Sequence, residues 1–267
     1  MNAPAQAVRA QPGCFHVLGV EVNAVQIPDT IATLERWIAE RRPGRYVVVA
    51  NVHVIMEAKA QASFARVLAE AALVAPDGMP LVWIGRGRGF PLPRRCYGPE
   101  LMLEFLRATA GRRYRHFFYG GAPGVAEELA RRLTARFPGL EVAGTYSPPF
   151  RPLTPEEDAE VVERINRARA QVLWVGLGCP KQEIWMHEHG GRLNVAVALG
   201  VGQAFDIHTG RARQAPAWAR EHGWEWAFRL VWEPRRLWRR YLVYNTKFLW
   251  CVLAERVRRK RFDAART

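Results

Sequence analysis

Asp77 is the residue of this 267-residue chain whose setting most resembles that of a general base. It stands in Pro76-Asp77-Gly78, directly after the apolar run Leu73-Val74-Ala75, so proline and glycine fix its backbone at a strand end. A base needs such a fixed position within reach of the proton it takes; an ordinary turn aspartate is the competing reading. Four other segments follow apolar runs in the same way: Asn51-Val52-His53, Gly120-Gly121-Ala122-Pro123-Gly124, the stretch from Gly176 through Gly178 to Lys181-Gln182-Glu183, and the stretch from Gly200 to Asp206. Each alone is compatible with a plain strand-to-helix turn. Five at one sheet edge point to a ligand site, because loops and helix N-termini there supply hydrogen-bond donors. Asp206 is placed to accept from a base or ribose, or else to cap the next helix. His53 and His208 read either as bases or as satisfied polar residues. His187 and His189, two apart on a helix, face different sides and make a poor metal pair.

Several chemistries find no support. None of the glycine-rich segments is a Walker A loop, and none matches Gly-x-Gly-x-x-Gly with an acidic residue ~20 positions on. A nicotinamide-dependent oxidoreductase is therefore the weakest of the enzyme readings. The aspartates, Asp29, Asp77, Asp158, Asp206 and Asp263, are too far apart for Asp-x-Asp, the simplest carboxylate cradle for a sugar-nucleotide metal ion. Cys14, Cys96, Cys179 and Cys251 are equally scattered, which suggests neither zinc nor a disulfide framework, and fits a reduced compartment.

The elements that must position these residues alternate. Strands are expected over 15–22, 46–50, 73–75, 116–119, 141–145, 172–175 and 195–199. Helices are expected over 28–42 (capped by Asp29 or Thr30), 54–71, 80–84, 98–110, 125–137, 154–169 (with the capping box Thr154 and Glu157) and 180–189. This alternation predicts an α/β fold, a mainly parallel Rossmann-like sheet with helices on both faces. It covers 14–206, after a loose N-terminal leader at 1–13 that has no apolar stretch of secretory type. From 207 to 267 the strand signal stops and a helical appendage is expected.

The appendage also holds most of the charge. The chain has 39 Lys and Arg against 25 Asp and Glu, a net charge of +14, but residues 207–267 alone contribute 15 against 5. Six of the ten tryptophans lie there as well: Trp218, Trp224, Trp226, Trp232, Trp238 and Trp250. Leu237, Tyr241, Tyr244, Phe248 and Val252 fall at helical spacing with Arg236, Arg239, Arg240 and Lys247 between them. An amphipathic helix of this kind suits an anionic membrane surface. The bland alternative is a helix pair docked on the body through its tryptophans. A basic nucleic-acid-binding protein using the Arg/Trp region is the alternative function. Aromatic flanks without an RNA-binding motif favour lipid over nucleic acid. No apolar stretch approaches the ~20 residues of a membrane span, so attachment would be peripheral.

Taken together, the segments Ala50-Asn51-Val52-His53, Ala72 to Pro80, and Arg95-Cys96-Tyr97-Gly98-Pro99-Glu100-Leu101 resemble the WecG/TagA/CpsF family of bacterial glycosyltransferases. So do Val175 to Glu183, Gly200 to Asp206, and the tail motifs Glu225-Trp226-Ala227-Phe228-Arg229-Leu230, Glu233-Pro234-Arg235-Arg236 and Arg239-Arg240-Tyr241-Leu242. The resemblance covers about 15–250, in order. It implies an inverting, metal-independent hexosyltransferase without a cofactor, working peripherally on the cytoplasmic face of the plasma membrane. Such an enzyme takes a UDP-sugar donor and a polyprenyl-diphosphate-linked saccharide acceptor. Carried over by motif, Asp77 is the catalytic base and Arg95 the active-site arginine. Asn51, Gln182 and Asp206 lie about the donor, and the strand-end glycines Gly120, Gly121, Gly176 and Gly178 are expected as donor-binding residues beside them. Arg229, Arg236 and Arg239 of the appendage stabilise the diphosphate. Members that transfer N-acetylmannosamine have a threonine two residues before the asparagine, where this sequence has Val49. The run from Asp77 to Trp83 looks like exopolysaccharide members, including the GumM type that transfers glucose. UDP-glucose, UDP-N-acetylmannosamine and UDP-N-acetylmannosaminuronate are the donors this implies.

Overall fold

A computed structural model describes residues 13–264, and within them all side chains except those of Arg236, Arg240 and 258–264. The leader expected over 1–13 thus falls, but for Gly13, outside the described residues. The chain begins with a hairpin of β1 (Cys14–Val17) and β2 (Val20–Asn23), where a single strand is expected. Leu18 and Gly19 both adopt positive φ, the geometry that reverses a two-residue hairpin, and leucine gives no sequence signal for it.

The six strands of the main sheet are β3 (Tyr46–Ala50), β4 (Leu73–Pro76), β5 (Arg115–Gly120), β6 (Glu141–Tyr146), β7 (Val172–Gly176) and β8 (Val197–Gly200). All pair in parallel, in the order β4-β3-β8-β7-β5-β6. Successive residues of β3 enter opposite cores: Val48 and Ala50 one, Val47 and Val49 the other. Continuous apolar runs are what a sheet covered on both faces requires. The β5-to-β6 connection runs toward one edge and the β7-to-β8 connection toward the other. A crevice therefore opens beyond the carboxyl ends of β5 and β7, where open parallel sheets bind ligands.

Helices of the body are α1 (Ile27–Glu40), α2 (Val52–Ala60), α3 (Ala62–Ala69), α4 (Met79–Arg86), α5 (Gly98–Thr109), α6 (Val125–Arg136), α7 (Pro155–Arg167), α8 (Lys181–His189) and α9 (Ala204–His208). Two expectations are corrected. Helix α1 starts earlier than expected: Gln26 caps it and Asp29 closes the capping box as the third helical residue. The expected 54–71 helix is two helices, broken where Gln61 takes extended dihedrals. The Thr154–Glu157 box of α7 is present as expected. Asp206 lies inside α9 rather than ahead of a helix, and the buried Thr209 keeps the chain on the body past residue 206.

The appendage consists of α10 (Ala217–Glu221), α11 (Glu225–Trp232), α12 (Pro234–Trp238) and α13 (Tyr244–Ala264), with a π-helical turn, Arg239–Val243, joining the last two. The stripe Leu237, Tyr241, Tyr244, Phe248 and Val252 faces the body, not a membrane. Leu237 and Phe248 are buried, Phe248 joins the core beside α2, and the Tyr244 hydroxyl donates to Glu57 Oε1 at 2.8 Å. Most of the tryptophans, by contrast, are exposed: Trp218, Trp224, Trp232, Trp238 and Trp250. Leu242, Leu249, Leu253 and Val257, also exposed, recur at spacings of seven, four and four residues and so share one outer face with Trp238 and Trp250. The helix carries two apolar stripes, and periodicity alone does not say which one meets the body. Among the described residues, no helix is long and apolar enough to cross a membrane.

Candidate active site

Asp77 is delivered by the end of β4. Its backbone N–H donates to Ala50 O at 2.8 Å, and Cys96 N–H donates to Pro76 O at 2.7 Å, which lays the 94–97 segment alongside the strand end. Arg95 is thereby brought against Asp77: Nη1 donates to the Asp77 carbonyl at 3.2 Å and lies 3.8 Å from Oδ1. The Asp77 side chain is only 15% exposed, and its Oδ1 is buried without a hydrogen-bond partner. Burial pushes the carboxyl up to about 7; Arg95 opposes that shift, Glu225 adds to it, and Arg229 and the backbone N–H of Gly98 oppose it. A carboxyl poised near neutrality can accept a proton from a hydroxyl, which a fully exposed aspartate does poorly.

The cavity in front of Asp77 has a volume of about 1300 Å³ and runs along the carboxyl ends of β3, β4, β5, β7 and β8. It brings together Asn51, Asp77, Arg95, Gly121, Gly176, Gly178, Gln182, Asp206 and Arg229 of the expected site. Gly120 is buried behind it. There φ is +129° and a Cβ would stand 2.5 Å from the Gly176 carbonyl carbon, so only glycine lets β5 approach β7 at the switch point. Gly121 N–H then donates to Gly176 O at 3.0 Å, which ties the two loops together.

Asn51 is the N-cap of α2: its Oδ1 accepts from His53 N–H at 3.0 Å and Val54 N–H at 3.3 Å, so the side-chain amide is the group it presents to a ligand. Gln182 is 4% exposed and engaged at both ends. Its Oε1 accepts from Gly178 N–H at 3.2 Å and Gly202 N–H at 3.0 Å, and its Nε2 donates to Glu183 at 2.8 Å. In this structure it forms part of the cavity wall and braces the loops after β7 and β8, with its amide already engaged by protein partners. Of the three appendage arginines, Arg229 lines the cavity. Arg239 is exposed, lies over the Trp238 ring at 5.3 Å and does not line it. The side chain of Arg236 is outside those described.

Sequence reasoning missed several members. Glu225, Trp226 and Tyr241 of the appendage line the same cavity, as does the proline-rich segment 148–155 and Tyr97, whose ring lies under the Arg95 guanidinium at 4.1 Å. Glu225 pairs with Arg95 Nη2. The available signal was its spacing of four from Arg229, which puts both on one face of a helix.

The sequence pattern described as the glycosyl transferase WecG/TagA/CpsF family matches residues 15–262. An N-acetylglucosaminyldiphosphoundecaprenol N-acetyl-beta-D-mannosaminyltransferase of Bacillus spizizenii is 32% identical over 217 residues, 81% of this chain and 82% of its own length. Enzymes of the same name are 28% identical over 229 residues in Bacillus subtilis (86% of this chain, 87% of the relative) and 25% identical over 230 residues in Staphylococcus aureus (86% and 89%). The match spans the sheet, the cavity and most of the appendage alike, and the chain belongs to the WecG/TagA/CpsF family of glycosyl transferases.

Proposed function

We propose that the protein is an inverting, metal-independent hexosyltransferase that moves a sugar from a UDP-sugar to a polyprenyl-diphosphate-linked saccharide, with Asp77 as the base. The single observation that carries this reading is the buried Asp77 carboxylate, whose Oδ1 accepts no hydrogen bond, at a large cavity that Arg95 and Arg229 also line. In one displacement, Asp77 takes the proton of the acceptor hydroxyl as that oxygen forms its bond to the anomeric carbon. The bond from that carbon to the UDP oxygen breaks, and UDP leaves with the electron pair. Attack from the face opposite the leaving group inverts the centre, so an α-linked donor gives a β-linked product, the anomer written in the relatives' names. Arg229 lines the same cavity and in this reading supplies the positive charge a departing diphosphate needs, with the helix N-termini at the sheet edge adding donors for its oxygens. The cavity exceeds the ~300–1,000 Å³ usual for a small-ligand pocket, which leaves room for donor and acceptor together.

The relatives' names favour N-acetylmannosamine as the sugar and N-acetylglucosaminyl-diphosphoundecaprenol as the acceptor. Val49 supports a second reading of the donor: it lines the cavity at the position where members that transfer N-acetylmannosamine have a threonine, so the contact that hydroxyl would make is missing, and UDP-glucose is the alternative donor. The exposed Trp238, Leu242, Leu249 and Trp250 face, on a strongly basic appendage, suits docking on an anionic bilayer where the lipid-linked acceptor resides.

The test is a panel of UDP-sugars offered with N-acetylglucosaminyl-diphosphoundecaprenol in anionic vesicles, read by product mass, with anomeric configuration by NMR and a parallel arm in chelator. A β-linked product that forms undiminished in chelator is expected. No transfer from any donor in the panel overturns the proposal, an α-linked product overturns inversion, and loss of transfer in chelator overturns the metal-free step.

A further inference from the structure

Glu225 opens α11, the appendage helix that also carries Arg229. The turn before it is seated directly on α4, the helix that follows Asp77: Gly223, at φ +79°, lies so close that a Cβ there would stand 2.9 Å from the Trp83 ring and 3.3 Å from Met79 Cβ. Ion pairs of Arg220 with Glu100 and of Arg94 with Glu221 hold α10 to the body on the same side. The Glu225 carboxylate, 13% exposed, is thereby pressed against Arg95. One oxygen pairs with Nη2, and the other lies 3.5 Å from the Tyr97 hydroxyl. The Tyr97 ring closes the far face of the guanidinium. Arg95 is thus shared between two carboxylates, Glu225 in direct contact and Asp77 at 3.8 Å.

We propose that Glu225 is a positioning residue for the transfer reaction: by holding Arg95 it keeps that guanidinium from closing onto Asp77, so that Asp77 stays available as a base only while the appendage is docked. This rests on the reading of Asp77 as the base. The groups that act on Asp77 among the described residues are Arg95, Cys96 and Tyr97 on the segment beside it, the backbone N–H of Gly98, and Glu225 and Arg229 from α11. Burial pushes the Cys96 thiol up to about 12 and the Tyr97 phenol upward as well, so both are neutral at working pH. The charged set is then an alternating quartet of Asp77, Arg95, Glu225 and Arg229, two members of which come from the appendage. Removing the Glu225 charge leaves Arg95 with one carboxylate to satisfy, the one the reaction needs free. Docking the appendage therefore supplies an anion that sets the basicity of Asp77 in addition to a cation for the leaving group.

The experiment follows kcat/KM and kcat against pH for the full-length wild type, Glu225→Gln and Glu225→Asp, with UDP-N-acetylmannosamine and N-acetylglucosaminyl-diphosphoundecaprenol, or with whichever donor the panel above selects. Loss of the Glu225 anion, which raises the Asp77 pKa, and closure of Arg95 from 3.8 Å to contact both favour the carboxylate, so the acid limb of Glu225→Gln should move down by about one pH unit, the low end of the range over which a neighbouring charge acts. The weaker base should cut the plateau kcat by about two- to tenfold with the donor KM changed less than about twofold, and Glu225→Asp, which keeps the charge, should restore the limb. A Glu225→Gln enzyme with the wild-type limb and kcat overturns the proposal, as does a Glu225→Asp enzyme that behaves like Glu225→Gln. Should Glu225→Gln lose its cooperative melt, the pair removal Arg95→Gln/Glu225→Gln takes its place, since neither charge is then left unpaired. Its limb should stand at or above the wild-type position despite low turnover, because Arg95 lowers the Asp77 carboxyl more than Glu225 raises it, and a limb displaced downward overturns the proposal. Asp77→Asn is run alongside. If that variant turns over normally, the base reading itself has failed; if it is dead while Glu225→Gln is unaltered, only the present inference has.

Discussion

Replacing Asp77 by asparagine removes a carboxylate whose ionisation the fold opposes, and the size of that opposition follows from its titration. The group moves from 3.8 to about 7 on folding, roughly three units. At 1.36 kcal/mol per unit that is about 4 kcal/mol of folding free energy. The folded state holds the proton more tightly than the unfolded chain, so the stability linked to this group is fully present below pH 4. It is lost progressively between about pH 4 and pH 7, and stays lost above. Asparagine is nearly isosteric and has nothing to ionise. Asp77→Asn should therefore gain about 4 kcal/mol on the wild type between pH 4 and pH 8, and about 2–4 °C per kcal/mol makes this a relative rise of on the order of 10 °C in Tm. The same variant should lose at least about a hundredfold in transfer, the range expected for a missing general base. Thermal melts by circular dichroism at one-unit intervals from pH 4 to pH 8, with turnover assayed on the same preparations, read both. Melting temperatures of the two proteins that run parallel across this range would refute the argument that Asp77 is held against its ionisation. A stabilised but fully active variant would remove it from the chemistry.

Two further outcomes separate the two faces of the helical segment 234–264. Phe248→Ala opens the contact by which the appendage meets the body; truncating a buried phenylalanine costs about 3–5 kcal/mol, and with Glu225 and Arg229 no longer held at the cavity, activity should fall even under conditions where melting shows the body intact. The double variant Trp238→Glu/Trp250→Glu alters only the outer face, so it should melt as the wild type does while cosedimentation with anionic vesicles drops at least about tenfold; unchanged vesicle binding would show that this face is not what meets the bilayer.

Much of the body was legible because its signals are local. Continuous β-branched runs such as Tyr46–Ala50 have few conformational alternatives once both faces are covered, and Thr154 with Glu157 announces a helix start by itself. The misses came where a non-local contact or an uncommon dihedral overrode such signals: Leu18 at positive φ turning a strand into a hairpin, Gln61 splitting a helix, Gln26 taking the cap from Asp29. The candidate site divides in the same way. Strand-end motifs put Asn51, Asp77 and Gln182 at one edge, because a parallel sheet collects its strand termini there. What each does at that edge depends on partners distant in sequence, such as the Gly202 loop, which together with the nearby Gly178 occupies Gln182.

The appendage shows most clearly where the boundary lies. Composition by itself determined that residues 207–267 carry most of the net charge and six tryptophans, and helical periodicity picked out Leu237, Tyr241, Tyr244 and Phe248 as one stripe. Only the tertiary structure decided that this stripe meets the body and that the opposite face, with Trp238 and Trp250, is the one left in contact with solvent. A helical repeat specifies which residues share a face, but which face is covered depends on surfaces built elsewhere in the chain. Glu225 is the sharpest case: on a helix it is one more exposed acid, and it acquires a role only when the fold carries it across 130 residues to Arg95.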